Sequence, residues 1–367
     1  MEKLVIQAEF WQGRRVLLTG HTGFKGSWLC LWLQKMGARV IGYALPPATQ
    51  PNLFELARVE QQMVSILADV RDADRLRSAL TTHQPEVVFH LAAQAEILPS
   101  YAQPVDTYAT NVMGTVNLLD AVRHSPGVRA VVVVTSDKCY ENAESSHCYR
   151  EGDALGGVDP YSSSKACAEL VSAAYRSSFF NPADYARHGT AVATARAGNA
   201  IGGGDWSANR LIPDAMRAFA EQRPLQVRHP AAIRPWQHAL DPLAGYLLLA
   251  VQLYEQGPGA AGAWNFGPSG GNTHSVAQVL EKLIDIWGDG AAWSGDPSTH
   301  PHEAHGLRLD ASKAISALRW RPRWSLDRAL RMTVDWHRAH SRGEDMAAVS
   351  KQQINSYCQA AESTVVT

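Results

Sequence analysis

Apolar residues in this chain fall into short β-branched runs that alternate with longer stretches of helical periodicity. Arg15-Val16-Leu17-Leu18-Thr19 reads as a first strand, and a helical pattern follows from Trp28 to Met36. Further strands are expected over Arg39–Tyr43, Val64–Leu67, Glu86–Gln94 and Val131–Val134, the last an unbroken valine run that suits burial on both faces. Asn111–Leu119 reads as a long helix, and Asp159-Pro160 opens another, proline being favoured in a first helical turn. Strand and helix alternate in this way through Tyr185, the signature of an α/β protein with a doubly wound parallel sheet. Ala191–Ala195 is one more strand. Beyond it Arg196–Trp206 is too rich in glycine to continue a regular element, and Ser325–His340 reads as an amphipathic packing helix. Residues 346–367 are expected to form a loosely held C-terminal tail.

A chain of 367 residues with 46% hydrophobic positions can bury a substantial core. Charged residues make up 19% and the formal net charge is -1, so nothing points to nucleic acid or an anionic membrane, and any phosphate must be met locally. The five cysteines are scattered without a C-x-x-C pair, which argues against a disulfide framework or structural zinc and suits a reducing cytoplasm. The amino terminus, with Glu2 and Glu9 around a short apolar patch, does not read as a signal peptide. Apolar stretches such as Leu247–Val251 are too short to cross a bilayer.

The first strand runs directly into Gly20-His21-Thr22-Gly23-Phe24-Lys25-Gly26, a G-x-x-G-x-x-G turn before a helix. Glycines at this spacing permit the tight turn and let a pyrophosphate approach the backbone at a helix amino terminus, so the fold expected is Rossmann-like. Lys25 either adds a charge beside the phosphates or is a solvated helix residue. Where an acid would hold the 2′-hydroxyl of NAD and an arginine the 2′-phosphate of NADP, the second strand ends in Ala44-Leu45-Pro46-Pro47; NAD is preferred because no basic residue stands ready. Asp69 could accept from an adenine amino group or serve as a turn carboxylate. The small residues Ala92 and Ala93 would let backbone lie against the cofactor. Contacts to it are therefore expected from Gly20 to Gly26, from Asp69 and Val70, from Leu91, Ala92 and Ala93, and from Thr110, Thr135, Tyr161 and Lys165.

Tyr161 and Lys165 are four apart and share a face of the helix that opens at Pro160. With Ser136 carried in from the end of the valine strand, they form a tyrosine base for removing a hydroxyl proton while hydride leaves the same carbon. Further on, Arg228, Arg234, Trp236 and Trp264–Gly267 place basic and aromatic residues in expected loops, which suits a nucleoside diphosphate. The division expected is a mainly NAD-binding domain over 1–190 and a smaller substrate-binding α/β region over 191–345, with segments exchanged between the two. His300-Pro301-His302-Glu303-Ala304-His305 is not a metal motif: Gly306 stands where H-E-x-x-H needs histidine, and Pro301 opposes the helix. No metal is expected.

Taken together, Gly20–Trp28, Thr135-Ser136-Asp137-Lys138-Cys139-Tyr140, Tyr161–Lys165, Ile201–Trp206 and Arg234–His238 resemble the extended short-chain dehydrogenase/reductase superfamily, and within it the CDP-glucose 4,6-dehydratase family. The Ser136-Asp137-Lys138 run discriminates: related dTDP-glucose dehydratases carry Thr-Asp-Glu, and 4-epimerases lack the acidic residue. The resemblance implies C4 oxidation of a nucleoside diphosphate hexose by NAD, with Tyr161 taking the hydroxyl proton, Lys165 depressing the tyrosine and Ser136 holding the C4 oxygen. Water is then lost across C5 and C6, and hydride returns to C6. Asp137 as acid and Lys138 as base are the expected pair, the other reading being a salt bridge that shapes the turn. Substrate contacts are expected from Gln94, Ser136, Asn199, Arg210, Arg228, Arg234 and His302. Glu96-Ile97-Leu98 and Glu144–Cys148 depart from the family pattern beside the sugar pocket. The resemblance also implies a homodimer or higher homo-oligomer. The rival readings are a 4-epimerase or C4 oxidoreductase that never eliminates water, and an idle dinucleotide-binding regulator.

Overall fold

The structure is a computed structural model that describes residues 7–142, 147–268, 274–288, 290–296 and 306–363. Seven parallel strands form its central sheet: β1 (Arg15–Thr19), β2 (Arg39–Ala44), β3 (Met63–Leu67), β4 (Val87–His90), β5 (Ala130–Val134), β6 (Ala191–Ala197) and β7 (Gly262–Phe266), in the order 7-6-5-4-1-2-3. The strands are covered on both faces because their side chains alternate between two apolar cores. Val16 and Leu18 of β1 and Ala130, Val132 and Val134 of β5 enter one core, while Leu17, Val131 and Val133 enter the other.

Helices α1 (Phe24–Lys35), α2 (Ala73–His83), α3 (Gly114–Arg123) and α4 (Pro160–Ser178) are the crossovers expected of such a sheet. The long helix expected from Asn111 instead begins as a single π turn, Ala109–Met113, that runs into α3. A smaller core is built by α5 (Leu211–Ala220), α7 (Val276–Trp287) and α8 (Leu326–Ser341), through Ile212, Phe219, Leu280, Leu283 and Leu330. Between them α6 (Leu240–Gln256) is buried along most of its length in the core that covers the sheet. Residues beyond 190 thus return to the first domain: β6 and β7 extend its sheet, and Trp264-Asn265-Phe266, expected in a ligand loop, are part of edge strand β7.

The C-terminal tail is also a correction. Met346–Ser363 is helix α9, which fully buries Ile354 and Tyr357; the Tyr357 ring meets Trp32 and Trp324 edge-on, and its hydroxyl donates to Asp241 Oδ1 at 2.7 Å. The buried positions of this helix include Ser350 and Gln353 beside Met346, Ala347, Ile354 and Tyr357, so no clean apolar stripe marks it in the sequence.

Candidate active site

The sheet order reverses between β1 and β4, and the crevice beyond their carboxyl ends is where an open α/β sheet accepts a ligand. There the glycine turn is forced by close backbone approach. A Cβ on Gly20, whose φ is +78°, would stand 2.7 Å from the Ala92 nitrogen, and one on Gly26 would stand 2.0 Å from the Gly20 carbonyl oxygen. A cavity of about 700 Å³ opens along this turn and continues past the ends of β5 and α4 into the smaller region. Its glycine-turn end is lined by Thr22, Gly23, Phe24, Lys25, Val70, Leu91, Ala93 and Thr110, with Leu45, Pro46 and Ala48 closing it. Thr22 Oγ1 donates to the Leu45 carbonyl at 2.8 Å and ties turn to lid. These residues fit a dinucleotide: a glycine cradle that no side chain could share, small residues at the β4 end, and an apolar far wall without a cation for an extra phosphate.

Two residues expected at this end behave differently. The His21 ring is buried beneath the turn, edge-on to Phe54 at 5.3 Å, with Nε2 2.8 Å from Ser65 Oγ; burial lowers its pKa to about 4. Its side chain lines no part of the cavity, since the residue after Gly20 points into the sheet. Asp69 does line it, but its carboxylate accepts from Arg71 N at 2.8 Å and from Arg71 Nη2 at 2.7 Å, and the guanidinium holds its pKa below the usual carboxylate range.

At the centre, β5 ends in Thr135 and Ser136, and Ser136 caps the short turn Asp137–Cys139. Its Oγ donates to Asp137 Oδ1 at 3.0 Å and accepts from Lys138 N at 3.2 Å. Across from it, Asp159 caps α4 by accepting from Ser162 N at 2.8 Å, which sets Tyr161 and Lys165 on one face toward the cavity. Burial pushes the Tyr161 phenol up to about 12, opposed by a polar contact with Ser136 and by the Arg210 guanidinium. Burial and the nearby Lys25 charge bring Lys165 itself down to about 7, and its Nζ lies 3.5 Å from the Val134 carbonyl oxygen. Burial raises the Asp137 carboxyl above its ordinary range, against the pull of Lys138, Ser136, Arg234 and Lys25. That is the direction a general acid needs.

The far end gathers Gln94, Asn199, Arg210, Arg228, Arg234 and Trp236. Arg210 pairs with Asp205 at 3.2 Å, and Arg228 donates to the Asn209 carbonyl at 3.2 Å. Glu96, where the sequence departs from the family pattern, lines the same cavity. Burial raises its carboxyl pKa, with Arg210 opposing. His302, the rest of the 300–305 histidine run, and Glu144 to Ser146 lie outside the described residues. Among those described, no cluster of three or more metal-ligating side chains occurs.

A buried network behind the site escaped sequence reasoning. Glu169 accepts from Thr135 Oγ1, from Thr194 Oγ1 at 2.7 Å and from Arg196 Nη2 at 2.8 Å, so the ends of β5 and β6 are fastened to α4. Arg196, which begins the glycine-rich stretch in the sequence but lies within β6, is spent on this pair and on Tyr140. The one sequence signal was the spacing of Glu169, four residues past Lys165 on the same helix face.

Comparisons with known proteins decide the family. The model of the GDP-mannose 4,6 dehydratase family matches residues 17–333. The chain belongs to that family. It is 52% identical over 356 residues to CDP-glucose 4,6-dehydratase of Salmonella typhimurium, covering 97% of this chain and 99% of the relative. The fold is shared with UDP-glucose 4-epimerase of Stenotrophomonas maltophila at TM-score 0.77 and 24% identity, over 90% of this chain and 99% of that one. It is shared too with dTDP-glucose 4,6-dehydratase of Bacillus anthracis in complex with NAD, at TM-score 0.74 and 21% identity over 91% and 100%. In this chain the Ser136-Asp137-Lys138 turn and the Tyr161/Lys165 face line one cavity.

Proposed function

We propose that this chain converts CDP-glucose to its 4-keto-6-deoxy derivative. The reaction class is that of the family: NAD-dependent 4,6-dehydration of a nucleotide sugar, a hydro-lyase activity. The observation that carries the reading is the juxtaposition of Ser136, Asp137 and Lys138 with Tyr161 and Lys165 in a cavity that continues from the glycine turn. The identity to the Salmonella enzyme, spread over almost the whole chain, supports the cytidine nucleotide.

Residues of the turn Gly20–Gly26, with Val70, Leu91, Ala92, Ala93 and Thr110, hold NAD. When bound, NAD supplies the hydride acceptor for C4 and the donor for C6. Tyr161 takes the C4 hydroxyl proton; a phenol held near 12 yields a scarce but strongly basic phenolate, so the cations around it matter to how often it forms. Ser136 holds the C4 oxygen. The C4 ketone acidifies C5–H, Lys138 receives that proton, and Asp137, whose carboxyl burial shifts upward in the direction an acid needs, gives its own proton to the departing C6 hydroxyl. Arg210, Arg228 and Arg234 hold the diphosphate by charge-assisted hydrogen bonds, with Gln94 and Asn199 toward the sugar.

Two features support the setting of the reaction. Val105, Met113 and Leu170 are 79%, 51% and 58% exposed on the helix Pro104–Tyr108, the π turn and α4, and we assign this face to a homodimer. All five cysteines are free thiols and no described helix is long and apolar enough to cross a membrane, which supports a cytoplasmic enzyme.

Incubation with CDP-glucose, dTDP-glucose, UDP-glucose and GDP-mannose, read by mass spectrometry, tests the assignment. Loss of one water from CDP-glucose ahead of the others is expected. An isomer of unchanged mass would replace the reading with epimerisation.

A further inference from the structure

Glu96 is an acid of the cavity that the reaction as described leaves without a task. It follows the small residues beyond β4 and precedes the helix Ile97–Ala102, in a run where the chain departs from the family pattern. The backbone that carries it is tied down at both ends. Asn111 Oδ1 accepts from Gln94 N at 2.8 Å, and Asn111 Nδ2 donates to the Gln94 carbonyl at 2.9 Å and to Ser164 Oγ of α4 at 2.8 Å. The Gln94 amide closes on the backbone of Glu96: Oε1 accepts from its nitrogen at 3.1 Å, and Nε2 donates to its carbonyl at 2.8 Å. These bonds hold main chain and leave the Glu96 side chain out. Glu96 is half-buried and lines the cavity, and among the described residues its carboxylate takes part in no hydrogen bond or ion pair. A half-buried carboxylate without an internal donor must find its donors in the cavity.

Its position decides what it meets. Ser100 Oγ, on the helix that starts beside Glu96, accepts from Tyr161 N at 3.2 Å, so this segment abuts the start of α4. On the other side Arg210 Nη2 donates to the Ala95 carbonyl at 3.3 Å. Glu96 therefore stands between the tyrosine that takes the C4 proton and an arginine assigned to the diphosphate, along the span a hexose ring must cover. Arg210 already has an acid of its own, Asp205 at 3.2 Å, and does not need Glu96 as its partner. Of the hexose hydroxyls, Tyr161 and Ser136 take the one on C4 and Asp137 the one on C6. Those on C2 and C3 are left, on adjacent carbons, and the two oxygens of one carboxylate can accept from both. We propose that Glu96 is a specificity-determining residue of the dehydration, its carboxylate accepting hydrogen bonds from the C2 and C3 hydroxyls of the sugar. The inference rests on the dehydratase reading and assigns the face of the substrate that this reading leaves unread. A carboxylate accepts and never donates, so it selects free hydroxyls; a sugar lacking one leaves a charged acceptor short of a donor, the mismatch that enzymes reject most strongly.

The test sets wild type, Glu96→Gln and Glu96→Leu against CDP-glucose and its 2-deoxy and 3-deoxy analogues, reading kcat/KM for water loss. Because Gln94 grips Glu96 by its main chain, both variants keep the shape of the segment. Wild type is expected to lose about 10- to 100-fold in kcat/KM on each analogue, the ordinary worth of a hydrogen bond to a charged group. Glu96→Leu is expected to lose a similar factor on CDP-glucose and to treat all three sugars within about threefold of one another, with Glu96→Gln falling between. The change in discrimination is the readout that a merely structural role would not move. Penalties on the analogues that are the same in wild type and Glu96→Leu overturn the proposal. So does a wild type that accepts both analogues as readily as CDP-glucose. Calorimetric titration of the three sugar nucleotides into the NAD-bound protein needs no turnover. A wild type that releases no water from CDP-glucose would therefore sink the dehydratase reading, while an affinity penalty on the analogues that Glu96→Leu erases would still uphold the Glu96 contact, and its absence would still overturn it.

Discussion

Asp137 and Lys138 are adjacent in the chain, yet their roles are separable by experiment. Asp137→Asn keeps the shape and the Ser136 hydrogen bond but removes the transferable proton, and Lys138→Met removes the amine. Both are expected to retain C4 oxidation, seen as absorbance of reduced cofactor, while water loss falls about 100-fold or more. Tyr161→Phe is expected to lose C4 oxidation itself by a similar factor. Elimination at wild-type rates in both the Asp137 and Lys138 variants would remove them from the chemistry. These residues were legible because their types and spacings are short-range: a β-branched run ending in Ser136, and a proline-started helix with tyrosine and lysine one turn apart. The Glu169 network was not, because its partners are brought together only by the sheet; Thr135 and Glu169 are 34 residues apart. His21 shows the converse, since membership of a motif says nothing about which way the ring points.

Helix α9 is where an element most changes the reading of the chain. Its fully buried large side chains, Ile354 and Tyr357, dock it with the Tyr357 ring against α1 and its hydroxyl on the start of α6, each large side chain contributing about 1.5–3 kcal/mol of burial. A chain ending at Ser341 is therefore expected to unfold at markedly lower urea concentration than the full chain; equal midpoints would return the segment to a dispensable tail. The same junction carries a pH effect. Burial raises Asp241 to about 6, although the Arg323 nitrogen donates to it at 2.7 Å and Tyr357 donates as well. Between the unfolded value near 4 and about 6 the folded carboxyl keeps a proton that the unfolded chain has released. Its contribution to stability is thus full below that window and is lost as pH rises through 6. Asp241→Asn keeps the acceptor and removes the titration, so its melting temperature should fall less than that of wild type from pH 4 to 6.5. Parallel pH profiles would contradict this.

For the whole molecule, the doubly wound sheet was readable because alternation of strands and helices, and of apolar side chains within strands, is written along the sequence. An exchange of segments between the two regions was expected and β6 was read as a strand, but the return of β7 and α6 was not, since it depends on pairings such as Trp264 with Ala195 that no local pattern encodes. The exposed face of Val105, Met113 and Leu170 belongs to this scale too. Leu170→Glu combined with Val105→Glu is expected to yield monomers in sedimentation analysis, whereas wild type sediments as a dimer; a monomeric wild type would end that assignment.

The central claim is that one cavity oxidises C4, expels water across C5 and C6, and delivers the same hydride to C6. CDP-glucose deuterated at C4 tests it most directly, with the product examined by NMR and mass spectrometry. The expected result is a 4-keto-6-deoxy sugar that has lost one water and carries the deuterium on C6. Deuterium restored to C4 in an isomer of unchanged mass, or lost to solvent, would contradict the account.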